Sequence, residues 1–347
     1  MYVKSQFKRL RLRSKMKKIL LIQTGGTIAM SAKGEGVELD PEAWSEHLYE
    51  QIPKLEELAE IHTYPLFFED SSDLNASHWD NLTRCIDSNY ESYDGFVILH
   101  GTDTMAYTAS ALSFTLKNLS KPVIFTGSQV PLSSIRSDAR RNLINSIEMA
   151  TTSLQDVAIC FNDHVYKGNR STKLSIGDFD AFGSPNHPLL AEIGLNIELN
   201  TTPEMILPPF EVQPGFDNRV FVITAHPSLN PEYLHCLDLK KLRSVIIRTF
   251  GSGNFPIKGA LSLLPFIEKC TSEGVTVVIV SQADYDSVDL TKYPAGRAAL
   301  KAGAISGKDM TLEAALTKLM WLQAHSESRD DLEHQFVRDL AGELTEL

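Results

Sequence analysis

Thr27 stands in a segment whose residue types and spacing suit nucleophilic chemistry. Residues 23–27 read Gln-Thr-Gly-Gly-Thr and directly follow residues 18–22, an apolar run typical of a buried parallel strand. Two glycines allow a tight turn and a close approach to a ligand. The hydroxyls of Thr24 and Thr27, with the backbone N–H groups beside them, would supply a nucleophile and an oxyanion site. An ordinary strand-to-loop turn has the same local pattern, so this segment alone does not decide.

Two further polar clusters follow apolar runs in the same way. Thr102 and Asp103 come just after residues 95–99, and Lys173 follows a later run. If the strands are neighbours in a parallel sheet, their carboxyl ends bring Thr27, Thr102 and Asp103 to one rim. A lysine paired with Asp103 would draw the proton of Thr102 and make that hydroxyl a base or relay. A helix cap at Asp103 and a solvated Lys173 are the alternatives.

Three motifs together resemble the bacterial-type L-asparaginase family. They are TGGTIA at 24–29, HGTDTM at 100–105 and GNRSTK at 168–173, and the likeness covers nearly the whole chain after residue 17. Within the family, the sequence is most similar to the cytoplasmic type I enzymes. The resemblance implies two α/β domains, a homodimer or homotetramer, and L-asparagine as the substrate. It implies neither a metal nor an organic cofactor.

The resemblance also implies a role for each catalytic residue. Thr27 would attack the side-chain amide of L-asparagine, ammonia would leave, and water would release L-aspartate from the covalent aspartyl ester. Thr102, Asp103 and Lys173 would form the supporting set, with Thr102 also handling the water. Backbone N–H groups near Thr27 and Thr102 would stabilise the oxyanion.

The turn at Asp70, Ser71 and Ser72 matches the position at which the family holds its substrate. With Thr102 and Asp103, this turn would bind the α-amino and α-carboxylate groups. An ordinary Asx or Ser turn would use the same residues.

Two regulatory features are also predicted. Residues 31–40 follow the nucleophile and suit a lid that excludes water, with a plain surface loop as the alternative. By the resemblance, Thr172, Arg248 and Asn254 would form part of an effector site for asparagine between subunits. Ala283 departs from the family at this site, because a cysteine contributes there in a well-known member. Allosteric activation is therefore a hypothesis.

Other functions remain as alternatives. A glutaminase-asparaginase needs room in its substrate pocket for only one more methylene. The sequence does not settle whether the pocket has this room. The amidase subunit of a tRNA-dependent amidotransferase usually carries an extra N-terminal domain, for which a glycine motif beginning at residue 24 leaves no room. That motif matches neither nucleotide-binding pattern, and the histidines include no HExxH zinc motif. We assign His100 to packing.

The polar clusters can meet only if the fold brings several strand ends to the same edge of a sheet. Apolar runs alternate with helical patterns along the first half of the chain, the runs at 95–99, 122–125 and 157–161 and the helices at 106–116 and 136–150. This alternation predicts an α/β fold. Its larger N-terminal domain has a mainly parallel sheet covered by helices. A smaller C-terminal α/β domain follows.

We predict four segments along the chain. They are a basic, disordered tail at 1–17, the N-terminal domain with the catalytic residues at 18–204, a proline-rich linker at 205–218 and the C-terminal domain at 219–347. Residues 325–347 are mostly polar and acidic, which predicts a surface helix or a loose tail.

The composition and charge of the chain limit the classes of binding partner and indicate its cellular compartment. Of 347 residues, 43% are hydrophobic and 22% charged, and the formal net charge of −11 argues against a nucleic-acid partner. No apolar stretch approaches the length of a membrane span. The four cysteines lie far apart in the sequence. No signal-peptide pattern precedes the glycine motif, and Met16 is an alternative initiator methionine. We therefore predict a reduced, cytoplasmic protein.

Overall fold

A computed structural model of the chain describes residues 16–29, 50, 52–200 and 206–346. In chain order its first eleven strands are β1 (Lys18–Gln23), β2 (Glu60–Pro65), β3 (Gly95–Leu99), β4 (Leu116–Lys117), β5 (Val123–Thr126), β6 (Val157–Phe161), β7 (His164–Lys167), β8 (Thr172–Lys173), β9 (Phe182–Gly183), β10 (Ala191–Ile193) and β11 (Ile197–Leu199). The largest sheet has eight strands in the order β11-β10-β7-β6-β5-β3-β1-β2. Strands β6, β5, β3, β1 and β2 run parallel to one another, and the other three are antiparallel additions at one edge.

Helices bury both faces of this sheet, which explains the continuous apolar runs. In β1, Leu20 and Ile22 join one core with helices α1 (Ala76–Asn89) and α2 (Met105–Thr115). Ile19 and Leu21 point to the opposite face, because strand side chains alternate, and pack with α3 (Ala139–Ala150). The predicted helix-covered, mainly parallel sheet is confirmed.

A second, smaller sheet lies in the C-terminal part of the chain. The elements there are β12 (Glu211–Val212), β13 (Val220–Thr224), β14 (Ser244–Thr249), β15 (Thr276–Ser281), β16 (Ile305–Ser306), α4 (Leu264–Ser272), α5 (Pro294–Lys301), α6 (Leu312–His325) and α7 (Arg329–Phe336). The four strands of this sheet, β13 to β16, are all parallel. Helix α6 packs against α2 of the first domain with a 2.8 Å hydrogen bond between the hydroxyls of Ser110 and Thr317. No helix in the described ranges has the length and apolar composition to cross a membrane.

The described part of the predicted linker, residues 206–218, docks on the N-terminal domain. β12 pairs with β4, and the ring of Phe210 stacks on Tyr90 with centroids 3.6 Å apart. The backbone N–H of Gly215 donates to Asp80 at 2.8 Å. Contacts along this segment therefore hold it in place although it has little regular structure of its own.

The end of the described chain is firmly packed: of the two predicted alternatives for residues 325–347, the surface helix is found as α7, and the loose tail is not. Lys318 of α6 is fully buried and donates to the carbonyl of Phe336 at 2.8 Å. It also forms an ion pair with Glu343, which is equally buried. The Glu343 carboxylate accepts the backbone N–H of Ala341 at 2.7 Å. A buried charge pair needs such partners on both sides, and here they come from the tail itself.

Candidate active site

The turn after β1 carries two glycines in conformations that other residues rarely adopt. Gly25 has a φ of +105° and Gly26 a φ of +90°. Space also excludes a side chain, because a Cβ on Gly26 would lie 2.6 Å from the backbone nitrogen of Gly101. The two glycines therefore let the end of β1 press against the residues that follow β3.

The structure separates the two threonines of this turn. Thr24 is buried, and its hydroxyl donates to the carbonyl of Leu99 at 2.7 Å, which ties the ends of β1 and β3 together. Thr27 opens a short 3₁₀ turn, Thr27–Ala29, is half-buried and lines a cavity. Thr27 is therefore the hydroxyl of this turn that a substrate can reach.

Lys173 contacts the polar cluster that follows β3, which consists of Thr102 and Asp103. Its Nζ lies 2.8 Å from Thr102 Oγ1 and 2.6 Å from Asp103 Oδ1. The Lys173 side chain is 14% exposed and that of Asp103 65%, so water screens the ion pair and it adds little to stability. Its effect is local, because a positive charge at hydrogen-bond distance favours the deprotonated form of the Thr102 hydroxyl.

A short strand directs the Lys173 side chain toward Thr102. β8 pairs with β9, and its two side chains point to opposite sides, so that Thr172 donates to Glu313 at 2.7 Å while Lys173 reaches Thr102. Just before β8, the buried Arg170 donates to the carbonyl of Glu343 at 2.8 Å. The end of the chain thus fixes the segment that carries Lys173.

The predicted substrate turn lies on the same cavity. The Asp70 carboxylate accepts the backbone N–H of Ser72 at 2.8 Å, and this hydrogen bond holds the pKa of Asp70 below its usual value. Ser71 is buried, and its carbonyl accepts the hydroxyl of Thr104 at 2.6 Å. Asp70 and Ser71 line the cavity, whereas Ser72 is exposed and is not among its described lining residues.

Gln129, which no sequence motif singles out, also lines this cavity. Its side-chain Oε1 accepts the hydroxyl of Thr102 at 3.3 Å, and its Nε2 donates to the carbonyl of Asp178 at 3.1 Å. Its backbone N–H donates to the buried carboxylate of Asp138. Gln129 follows β5, and β5 lies beside β3, so the same argument from strand ends would have found it.

These groups share a cavity of about 310 Å³, at the small end of ligand-binding sites. A half-buried hydroxyl, a hydrogen-bonded set of hydroxyl, carboxylate and ammonium, and a second carboxylate therefore meet in a space suited to a small polar solute. The residues that argue for chemistry are Thr27, Asp70, Ser71, Thr102, Asp103 and Lys173.

A second cavity, of about 330 Å³, lies between the two domains. Thr172, Arg248 and Ala283 line it, while Asn254 is not among its described lining residues. Burial raises the pKa of Glu313 on its wall. The Nε of Arg248 is buried and has no hydrogen-bond partner in the part of the chain that the structure describes. The predicted lid, residues 31–40, lies outside the described residues.

Comparison with known proteins gives two matches to family models. The family described as Asparaginase, N-terminal, matches residues 18–205, and the Glutaminase/Asparaginase C-terminal domain matches residues 219–336. The chain is 39% identical to L-asparaginase 1 of Escherichia coli (strain K12) over 345 residues. This alignment covers 95% of the chain and 98% of that protein.

Two solved structures are similar over their whole length. The thermostable L-asparaginase from Thermococcus kodakarensis superposes with a TM-score of 0.88 at 34% identity, covering 95% of this chain and all of that one. L-asparaginase I from Vibrio cholerae gives a TM-score of 0.86 at 38% identity with the same coverage. The chain therefore belongs to the bacterial-type L-asparaginase family, in its type I branch.

Proposed function

We propose that this chain hydrolyses L-asparagine to L-aspartate and ammonia through a covalent aspartyl ester on Thr27. One observation carries the proposal: a single small cavity is lined by Thr27, by Thr102 with Lys173 at 2.8 Å, and by Asp70. A nucleophile, a charged proton-transfer group and an anchor for an amino acid are the parts that this reaction needs.

Thr27 attacks the carbonyl carbon of the side-chain amide from the glycine turn. Its hydroxyl proton passes to the departing nitrogen, the C–N bond breaks, and ammonia leaves. Thr102, Asp103 and Lys173 support these proton transfers, and the Lys173 ammonium stabilises negative charge on Thr102. Thr102 then accepts a proton from water as the water oxygen attacks the ester carbonyl, the bond to the Thr27 oxygen breaks, that oxygen takes up the proton, and L-aspartate is released.

Asp70 anchors the substrate. Its pKa is held low by the Ser72 N–H, so the carboxylate is ionised at neutral pH and attracts the α-ammonium group. This anchor and the cavity size favour a free amino acid. The acceptance of glutamine depends on room for one methylene, a difference worth about 10- to 200-fold in rate.

The direct test is ammonia release from L-asparagine and, in parallel, from L-glutamine by the purified chain. We expect asparagine to react about 10- to 200-fold faster in kcat/KM. Similar values for both substrates would identify a glutaminase-asparaginase. Release from neither by a folded protein would contradict the proposal. It would favour the amidotransferase-subunit alternative, which needs a partner.

We also propose that the chain acts in the cytoplasm as a homodimer or homotetramer. The resemblance to type I enzymes supports both the compartment and the oligomer, and the four free cysteines support a reducing compartment only. Measuring the mass in solution will distinguish multiples of 38.6 kDa. The division into domains at 18–204 and 219–347 remains a proposal, supported by the two separate sheets.

The second cavity is proposed as an effector site for asparagine. The guanidinium of Arg248, whose Nε meets no acceptor among the described residues, offers a charged donor to a carboxylate, and Thr172 and Lys173 both lie on the cavity wall. A ligand that disturbed the bond between Thr172 and Glu313 would therefore shift Lys173 through β8.

Asparagine saturation curves test the effector site. We expect a sigmoidal curve for the wild type. We expect a hyperbolic curve for Arg248→Ala, because this variant lacks the guanidinium that would bind the effector carboxylate. A hyperbolic wild-type curve would remove the reason for proposing activation. The departure from the family at Ala283 would then accompany the loss of activation.

A further inference from the structure

The imidazole of His100 lies buried behind the catalytic residues. It has no exposed surface, and its Nδ1 is 2.7 Å from the carbonyl oxygen of Gly101. Burial lowers the pKa of His100 to about 4, so the ring is neutral at physiological pH. Because a carbonyl oxygen only accepts, the single ring proton belongs on Nδ1, which donates it to Gly101.

Packing alone does not explain a histidine at this position. With the proton on Nδ1, the other ring nitrogen, Nε2, is a buried acceptor, and it has no hydrogen-bond partner among the described residues. An unpaired buried acceptor lowers stability compared with an apolar side chain of similar size. The contact with Gly101 is therefore the feature that distinguishes His100 from a leucine.

That contact fixes the peptide unit between Gly101 and Thr102. A peptide is planar and trans, so its C=O and N–H point in opposite directions. Since the Gly101 carbonyl faces the buried ring, the Thr102 N–H faces the other side, where both residues line the cavity. Glycine leaves the adjoining backbone free to rotate, and the His100 hydrogen bond removes this freedom.

Neighbouring segments hold His100 and Gly101 themselves. The His100 N–H donates to the carbonyl of Thr126 at 2.9 Å. A Cβ on Gly127 would lie 2.3 Å from the His100 carbonyl oxygen, and one on Gly101 would lie 2.5 Å from Ser71 Oγ. The nucleophile turn also touches Gly101 through Gly26. A rotation of the Gly101–Thr102 peptide would therefore disturb groups on several sides of the cavity.

We infer that His100 is a positioning residue, whose Nδ1–H holds the Gly101–Thr102 peptide so that the N–H and hydroxyl of Thr102 act on the substrate. The inference rests on the proposed function, because these groups matter only if an amide is attacked in this cavity. It assigns His100 no contact with the substrate.

Two variants separate positioning from packing. Asparagine has a side-chain N–H₂ that reaches the place of Nδ1 but leaves a void, whereas leucine fills the space without a donor. We expect His100→Asn to keep at least a third of the wild-type kcat. We expect His100→Leu to lose about 10- to 100-fold in kcat with KM within threefold, since a small misplacement of reacting groups has effects of this size. Melting temperatures should rank in the opposite order, with the leucine variant the more stable.

His187 provides a matched control, because its Nδ1 makes the same 2.7 Å contact with the next carbonyl, that of Pro188, away from the catalytic cavity. His187→Leu should leave kcat unchanged. If kcat follows melting temperature across the His100 variants, or if His100→Leu keeps more than a third of kcat, the inference is overturned. Should His100→Leu fail to fold, His100→Met serves as the apolar variant. A wild type without asparaginase activity would instead refute the proposed function.

Discussion

Replacing Thr27 with alanine is expected to lower kcat for L-asparagine by about 10⁴-fold or more, because no other reachable hydroxyl in the glycine turn can form the ester. Thr27 is half-buried and lines the cavity, so removing its hydroxyl should leave the fold intact. Ammonia release measured with a coupled assay gives the rate, and thermal unfolding checks the structure. Trapping of an acylated protein by rapid acid quench, followed by mass measurement, should succeed with the wild type only.

The matched control is Thr24→Val, which removes the other hydroxyl of the turn. That hydroxyl donates to the Leu99 carbonyl at 2.7 Å inside the protein, so its loss should lower the melting temperature. Its kcat should stay within tenfold of the wild type. If Thr27→Ala retained substantial turnover while Thr24→Val did not, the nucleophile would have been assigned to the wrong threonine.

Replacing Lys173 with methionine is expected to lower kcat by about 10³-fold, in the range typical of lost general acid–base catalysis. Methionine replaces most of the aliphatic stem of lysine but removes the charge that lies 2.8 Å from Thr102 Oγ1 and 2.6 Å from Asp103 Oδ1. Because Asp103 is largely exposed, the broken ion pair should barely affect stability. Steady-state kinetics and thermal unfolding of the same preparation measure both effects.

Lys167→Met is the corresponding control, since Lys167 forms an ion pair with Asp156 and lies outside the catalytic cavity. Both partners of this pair are more buried than Asp103, so we expect reduced stability with little change in kcat. An unchanged kcat in Lys173→Met would exclude the proposed role of the Lys173 charge, whatever its effect on stability.

The sequence by itself determined the α/β fold and the rim on which the polar clusters meet. Continuous apolar runs identified buried parallel strands, and hydroxyl or carboxylate residues followed β1 and β3 directly. These signals are local, since a strand and the turn after it are contiguous in the chain. For the same reason Thr27, Thr102 and Asp103 can be placed on this rim from the sequence alone.

Only the tertiary structure decided which side chains face the cavity and what holds them there. The local pattern gives Thr24 and Thr27 equal standing, and only the family resemblance singled out Thr27, whereas the pairing of β1 with β3 turns Thr24 toward Leu99. For the chain's end the sequence left a surface helix and a loose tail open, whereas the contacts of Lys318 with Phe336 and Glu343 hold it against α6. These contacts join residues that are distant in the sequence or depend on the direction of one side chain. Local patterns therefore carry no signal for them.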